Sequence, residues 1–309
     1  LGNSRLLSSP IVAAPMDTVC GKRMSAALAS MGILPIIHRY NSIEEQCEIA
    51  VAAIIENCNN SPIGAAVGVS GDYLDRAQRL VSYGVEIICI DVAHGHHIMV
   101  ERAIKTIKDK LSNVHLMAGN IATLQAFNDL SDWGADSIRC GIGGGSICST
   151  RIQTGHGVPT LQTILDVSQT DKKSLIIADG GIKNSGDIVK ALAAGADMVM
   201  IGSLLAGSEE TPGDIIIDNS GHKRKIYRGM ASKGAQRDWR GKVSSIEGIT
   251  TTVPYKGEVK DVIRELHTGI RSGLSYSGTR CIQELQNRAT FVQQTISGQA
   301  ESSTHIVRK

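Results

Sequence analysis

The residues best suited to chemistry lie in one loop, Gly141-Ile142-Gly143-Gly144-Gly145-Ser146-Ile147-Cys148-Ser149-Thr150-Arg151. Glycines let backbone N–H and C=O groups approach a ligand or ion closely. A cysteine among such N–H dipoles is exposed, and its nucleophilic thiolate form is favoured. Alone, the loop is weak evidence, because a flexible loop with an incidental cysteine has the same composition. Two further loops strengthen it: Ala178-Asp179-Gly180-Gly181-Ile182 and Ile201-Gly202-Ser203-Leu204-Leu205-Ala206-Gly207. Gly181, Gly202 and Ser203 can donate hydrogen bonds to a phosphate. Asp179 is unsuited to phosphate but can accept from two ribose hydroxyls. The set describes a nucleoside monophosphate better than a bare sugar phosphate.

These loops need elements to position them. Eight short runs rich in Val, Ile, Ala and Leu recur, at 11–14, 33–37, 64–69, 86–90, 115–118, 137–140, 175–178 and 198–201. They are continuous rather than alternating, as in strands covered on both faces. Amphipathic stretches at 42–56, 72–83, 97–111, 123–133 and 185–194 predict helices between them, and Asn41-Ser42-Ile43-Glu44-Glu45 has the pattern of a helix start. Alternating units predict an α/β fold with a parallel sheet, and eight of them a (β/α)8 TIM barrel. The rival is a doubly wound open sheet. Met16-Asp17, His38-Arg39, Asp91, Asn120, the glycine loop, Asp179 and Gly202-Ser203 all follow strands, which favours a barrel with its site at the C-terminal face. A single catalytic domain over 1–309 is predicted. Its stretch at about 208–257, rich in Gly, Ser and charge, reads as a long irregular insertion acting as a mobile flap and phosphate-binding segment. Helices at 260–273 and 281–287 and a polar tail follow.

Composition excludes several classes. Hydrophobic residues make up 42% and charged residues 20%, an ordinary globular mixture, while only 3% aromatics imply an aliphatic core. A net charge of +2 without a basic run argues against nucleic acid or an anionic membrane as partner. No apolar stretch approaches the roughly 20 residues that span a bilayer. The chain opens on Leu1 with neither a secretory signal nor a lead-in to the first strand, so a trimmed N-terminus is expected. The 7 cysteines, Cys20, Cys47, Cys58, Cys89, Cys140, Cys148 and Cys281, are odd in number and lack CxxC spacing. That predicts a reducing cytoplasm, with most of them buried as small hydrophobes. His94, His96 and His97 lie beside Asp91, but their spacing fits no standard metal site.

The stretches PIVAAPMDTV (10–19), IDVAHGH (90–96), MAGNIAT (117–123), GGGSICSTR (143–151), IADGGIKNSG (177–186), ADMVMIGSLLAG (196–207) and YRGM (227–230) resemble the IMP dehydrogenase/GMP reductase family. The match covers essentially the whole chain, and the cysteine loop is highly specific. GGGS stands at 143–146 where the family usually has GPGS, and no regulatory CBS pair is present. The resemblance implies that Cys148 attacks purine C2 to form a covalent thioimidate-type adduct, with Thr150 and Glu247 as a proton relay. Ser146, Gly181, Gly202, Ser203 and Tyr227 would hold the phosphate and Asp179 the ribose. Met16, Gly229 and Met230 would border the purine. Asp91 would sit by the nicotinamide, with Asn120 nearby. Backbone carbonyls of Gly143, Gly145 and Cys148 match a potassium site, which Glu301-Ser302-Ser303 of a neighbouring subunit would complete. A homotetramer is also implied.

Two activities share this adduct. The dehydrogenase takes hydride from IMP to NAD and then hydrolyses the adduct, using an Arg-Tyr base on a long flap. The reductase expels ammonia from GMP and accepts hydride from NADPH. Here the flap region, Met230 to Glu247, is short and contains Gln236-Arg237-Asp238-Trp239-Arg240 without an Arg-Tyr pair. His38-Arg39-Tyr40, Gln153-Thr154-Gly155 and Ser275-Tyr276-Ser277-Gly278 also resemble reductases. Against this, 177–207 and the tail at 301–305 resemble dehydrogenases, and Ser244 and Ser245 stand where animal-type reductases carry an Arg. The flap bears on the chemical step, so GMP reductase is the expectation and IMP dehydrogenase the alternative. A catalytically dead nucleotide-binding regulator on the same barrel is the reading from another class; the intact Cys148, Thr150 and Glu247 count against it.

Overall fold

The apolar runs form strands where the sequence predicts them, and the strands close into a barrel. The computed structural model describes residues 7–57 and 59–302, so Cys58 and Ser303 lie outside the described residues. The chain runs β1 (Ile11–Ala13), α1 (Lys22–Ser30), β2 (Leu34–Ile37), α2 (Ile43–Ile55), β3 (Gly64–Val67), α3 (Tyr73–Ser82), β4 (Ile87–Asp91) and α4 (Ile98–Lys110). It continues through β5 (His115–Ile121), α5 (Leu124–Trp133), β6 (Ser137–Cys140), α6 (Thr150–Thr154), α7 (Thr160–Val167), β7 (Leu175–Asp179), α8 (Ser185–Ala193) and β8 (Met198–Ile201). Then come β9 (Ile216–Ile217), β10 (Lys223–Arg228), α9 (Lys233–Arg240), β11 (Thr250–Pro254), α10 (Val259–Tyr276), α11 (Ile282–Arg288) and α12 (Ile296–Glu301). Strands β1 to β8 pair in order, all parallel, and β8 pairs back to β1. This is the expected (β/α)8 barrel rather than an open sheet. Helix α10 supplies the eighth helical layer, packing between α8 and α1.

Successive side chains on a strand point to opposite faces, and the core divides accordingly. Ile88 and Ile90, Leu116 and Ala118, and Ile138 and Cys140 join a large cluster with the helices. Ile87 and Cys89, Met117, Ile177, Met198 and Met200 form a separate, smaller cluster inside the barrel. The same parity sends Asp91, Gly119, Arg139 and Asp179 inward at the mouth. The inward layer is thus aliphatic below and charged at the top. Ser42 starts α2 through a capping box: its Oγ accepts from Glu45 N–H at 3.1 Å, and Glu45 Oε2 accepts from Ser42 N–H at 3.0 Å.

The sequence reading misses α1, α6, α7 and α12 and takes the 208–257 stretch as irregular. Instead β9, β10 and β11 make an antiparallel sheet on the barrel rim, and α9 spans the flap. The physical reason lies in β10. Its inward residues are Lys225 and Tyr227, so no apolar alternation marks it as a strand. Lys225 is 2% exposed and spends its ammonium on the Thr211 and Glu209 carbonyls at 2.5 and 3.3 Å.

At the opposite end of the barrel, His115 is buried, with Nε2 2.9 Å from Ser137 Oγ. Burial, partly offset by Asp136, lowers the imidazole from its usual 6.5 to about 4. The unfolded chain therefore takes up this proton first. The contribution is intact above pH 6.5 and is lost as pH falls towards 4. Thermal melting between pH 7 and pH 4 should show His115→Gln losing less stability on acidification than the parent; equal slopes would refute the assignment.

Candidate active site

The ends of the strands carry a cleft of about 400 Å³ at the C-terminal face of the barrel. Met16, Asp91, Asn120, Gly143, Gly145, Cys148, Thr150, Asp179, Tyr227, Gly229, Met230 and Glu247 all line it. A larger hollow of about 770 Å³ lies at the opposite end, around Pro62, Lys108 and His115. It is remote from Cys148, so volume alone does not locate the chemistry.

Cys148 is set apart from the other described cysteines by its surroundings. Cys20, Cys47, Cys89 and Cys140 are buried, and Cys281 is exposed at the start of α11. Burial pushes the thiols of Cys20 and Cys89 up to about 12 and raises Cys140 as well. Cys148 is half-buried in the cleft and its Sγ donates to Thr150 Oγ1 at 3.2 Å. Thr150 Oγ1 donates in turn to Glu247 Oε2 at 2.8 Å. The expected triad is therefore one continuous hydrogen-bonded line. Ser245, which sequence reading did not include, donates to the second oxygen, Glu247 Oε1, at 3.0 Å.

The flap reaches the cysteine loop through its backbone. Ser149 N–H donates to Glu247 O at 2.9 Å and Ile249 N–H to Ile147 O at 3.1 Å, with an antiparallel bridge between Cys148 and Gly248. Gln236, 4% exposed, ties the flap to itself. Its Nε2 donates to Ala231 O and Ser245 O at 3.0 and 2.7 Å, and its Oε1 accepts from Ser244 N–H at 2.9 Å. At the far edge Trp239 stacks on Tyr40 with ring centroids 4.1 Å apart, and the Arg39 guanidinium lies 5.4 Å from the Trp239 ring. Asp238 accepts from Arg228 Nη1 at 2.5 Å, and Arg228 is also held by Asp17, whose Oδ2 accepts from Nη2 at 2.5 Å and Nε at 2.9 Å.

Of the residues expected to hold a phosphate, Ser146, Tyr227 and Gly202 converge. Ser146 Oγ and Tyr227 OH are 3.4 Å apart, and Tyr227 OH is 3.9 Å from Met16 Sδ. A Cβ on Gly202 would lie 3.0 Å from Met16 Sδ and 3.3 Å from Tyr227 OH, so Gly202 completes this group. Burial pushes the Tyr227 phenol up, which keeps it a donor. Met230 Sδ accepts from Asp17 N–H at 3.3 Å. Gly181 sits beside Gly144, and Ser203, next to Gly202, gives its carbonyl to Lys256 Nζ at 2.9 Å. Ser146, Gly181, Gly202 and Ser203 are at the cleft margin rather than among its lining residues.

Asp179 accepts at one oxygen, Oδ2, from Asn120 Nδ2 at 2.8 Å and from Arg139 Nη2 and Nε at 2.9 and 3.1 Å. Asn120 also donates to Gly141 O at 2.8 Å, so its amide NH2 is engaged on the Asp179 side and not the Asp91 side. Arg139 Nη1 donates to Asp91 Oδ1 at 2.6 Å. Arg139 is the main residue that sequence reading missed. Its signal was present: a charged residue inside the apolar run 137–140.

In the loop expected to hold potassium, two backbone carbonyls are engaged within the loop itself. Gly145 O accepts from Cys148 N–H at 3.1 Å, and Arg151 lies against Gly143 while donating to Ile142 O at 3.1 Å. Glu301 is on the exposed α12 and does not line the cleft of its own chain. Among the described residues no group of three or more His, Cys, Asp or Glu could hold a metal ion.

The family model described as "IMP dehydrogenase / GMP reductase domain" matches residues 2–305. The chain is 42% identical over 259 residues to an inosine-5'-monophosphate dehydrogenase of Nitrosopumilus maritimus, covering 79% of this chain and 54% of that protein. It is 46% identical over 257 residues to the Aquifex aeolicus dehydrogenase (80% and 52% covered). It is 43% identical over 261 residues to a GMP reductase of Leishmania major (80% and 53% covered). The chain thus spans about half the length of the curated relatives it matches. Among solved structures it resembles a GMP reductase from Trypanosoma brucei in complex with guanosine 5'-monophosphate, with a TM-score of 0.90 at 30% identity, covering 96% of this chain and 90% of that one.

Two loops of the cleft touch backbone to backbone. Gly180 has φ +89°, and a Cβ there would lie 2.9 Å from Gly144 C and 3.0 Å from Gly145 N. No flexible side chain can yield, so Gly180→Ala must push the cysteine loop away. We expect a folded protein whose Cys148 labelling by a 6-chloropurine nucleotide slows at least tenfold; labelling at the parent rate would show that the contact does not set the loop.

Proposed function

The chain belongs to the IMP dehydrogenase/GMP reductase family, and from that premise we propose that it reduces GMP to IMP with release of ammonia, through a covalent adduct of Cys148 at purine C2. The observation that carries this choice is the flap. Its one carboxylate between Met230 and the relay Glu247, Asp238, is ion-paired with Arg228, and its aromatic residue, Trp239, is stacked on Tyr40 and cannot ionise. The flap therefore presents no Arg-Tyr base to activate water, which hydrolysis of the adduct would need and release of ammonia does not.

The chemistry follows the hydrogen-bonded line. Glu247 takes the Cys148 thiol proton through the Thr150 hydroxyl. The thiolate bonds to C2. The same relay returns a proton to the departing amine, which leaves as ammonia. A reduced nicotinamide dinucleotide, when bound, supplies hydride to C2. Cys148 then departs as thiolate and IMP remains. Ser146, Gly181, Gly202, Ser203 and Tyr227 are proposed to hold the phosphate. Met16, Gly229 and Met230 border the base, with Asp91 on the dinucleotide side. The three donors on Asp179 converge on Oδ2, which leaves Oδ1 for the ribose hydroxyls. Arg39 and Tyr40 extend the cleft beyond Asp91, so its residues fit a dinucleotide lying past the purine. NADPH is the proposed donor. Exposed Ile216, Ile217 and Ile226 on the rim sheet suit the self-association expected of a homotetramer, which sedimentation at assay concentration checks.

The dehydrogenase reading is favoured by two of the relatives named above. Purified protein given GMP and NADPH should oxidise NADPH and release ammonia. NADH formed from IMP and NAD, with no turnover of GMP, overturns the reductase reading. Under either reading Cys148→Ala should lower turnover by at least a thousandfold while nucleotide still binds. Activity near the parent level would remove Cys148 from the mechanism.

A further inference from the structure

Arg139 stands in the barrel interior between Asp91 and Asp179 and lines the cleft. Its guanidinium puts Nη1 on Asp91 Oδ1 at 2.6 Å and Nη2 and Nε on Asp179 Oδ2 at 2.9 and 3.1 Å. Asp91 ends β4 and Asp179 ends β7, so the pairs cross the barrel mouth. Among the described residues Arg139 is the one side chain hydrogen-bonded to both carboxylates. Of the two carboxylates Arg39 approaches only Asp91, with Nε 3.8 Å from its Oδ2 and Nη2 donating to its carbonyl at 3.1 Å, and Asn120 reaches only Asp179.

The guanidinium cannot turn freely. The Arg139 side chain is 8% exposed. The neighbouring strand makes room for its root by carrying no side chain: a Cβ on Gly119 would lie 2.6 Å from Arg139 Cβ. A planar fork with fixed donor directions then transmits position from one carboxylate to the other, as a lysine's single ammonium could not.

We propose, resting on the reading of the cleft as paired nucleotide and dinucleotide sites, that Arg139 is a positioning residue that couples them: nucleotide bound at Asp179 strengthens binding of the dinucleotide at Asp91. Ribose hydroxyls donating to Asp179 fix that carboxylate. The rigid fork then fixes Asp91, so the second ligand orders less of the site on arrival. Coupling of this kind is reciprocal in binding free energy.

The test is a thermodynamic cycle in the Cys148→Ala protein, which cannot turn over and so holds both ligands. Calorimetry would measure NADPH binding without GMP and with saturating GMP, and GMP binding without and with NADPH. GMP should tighten NADPH at least fivefold, with the same factor in reverse. In Cys148→Ala/Arg139→Lys the factor should fall below twofold, whatever happens to the separate affinities; a purely structural Arg139 would shift the affinities and leave the factor alone. The same factor in both proteins, or no coupling with Arg139 present, overturns the proposal. Should the Lys variant not fold, Asp91→Glu keeps both charges, moves one carboxylate out of register and must lower the factor equally. If active enzyme turns over IMP with NAD instead of GMP with NADPH, the reductase reading fails and the cycle is run with that pair, so the two failures stay distinct.

Discussion

A charge buried in a barrel interior is the constraint on which the mouth of this molecule depends. Arg139 is an inward residue of β6 and is 6% exposed, in a position where parity would otherwise place an aliphatic side chain. Such a guanidinium is tolerated only with carboxylates and acceptors around it, and removing one partner of a buried pair typically costs about 3–5 kcal/mol. Asp91 and Asp179 supply the counter-charge, and both arrive by the same parity, as the last inward residues of β4 and β7. Their attraction outweighs the desolvation that opposes the charged form, and Arg139 stays charged well above the usual range. Gly119 gives up its side chain so that Arg139 fits. Three other strands thus each give an inward residue near the mouth to one charge.

The cysteine loop stands on the rim of that charged layer rather than within it. The loop is held from two sides. Gly144 and Gly145 lie against Gly180 of the β7 loop. From the other side, Ile147 and Ser149 exchange backbone hydrogen bonds with Ile249 and Glu247. This double contact explains how a loop so rich in glycine can hold a sulfur 3.2 Å from Thr150. Preorganisation of this kind suits the proposed covalent route, in which the position of the Cys148 sulfur is fixed before the substrate arrives. The interior cysteines show the contrast: burial that raises a thiol's proton affinity lowers its reactivity, and among the described cysteines only Cys148 is half-buried in a cleft.

The barrel was legible because continuous apolar runs with reactive strand ends admit few other folds; all eight predicted strands overlap the observed ones. The cleft was legible because glycine, cysteine and aspartate at strand ends have few purely structural uses in combination. Arg139 was not singled out because sequence shows a charge within an apolar run without showing which face it takes or what meets it. Register supplies that, by setting Arg139 beside Gly119 and Ile177. The rim sheet escaped notice for a related reason. Buried Lys225 is paired with carbonyls, not with apolar neighbours, so β10 carries none of the hydrophobic alternation by which strands are recognised. The Trp239–Tyr40 stack joins residues about two hundred positions apart, and no local pattern announces it.

The choice between two activities on one scaffold turns on what the flap is free to do after the adduct forms. A hydrolytic flap must deliver a base to a water at C2, so its ionisable groups have to be uncommitted or readily released. Here Asp238 is bound to Arg228, which is itself bound to Asp17, and Trp239 is stacked on Tyr40 beside Arg39. Recruiting Asp238 would break a chain of two ion pairs and leave a partly buried guanidinium with one partner fewer. Gln236 opposes such rearrangement from within, because its side chain bonds both ends of the flap loop. In the proposed chemistry a flap anchored in this way would shield the adduct from water better than it would activate water. That property suits a reaction in which hydride, and not hydroxide, must reach C2, and it makes the anchoring of the flap, more than the shared cysteine, the feature that distinguishes the proposed chemistry from its alternative.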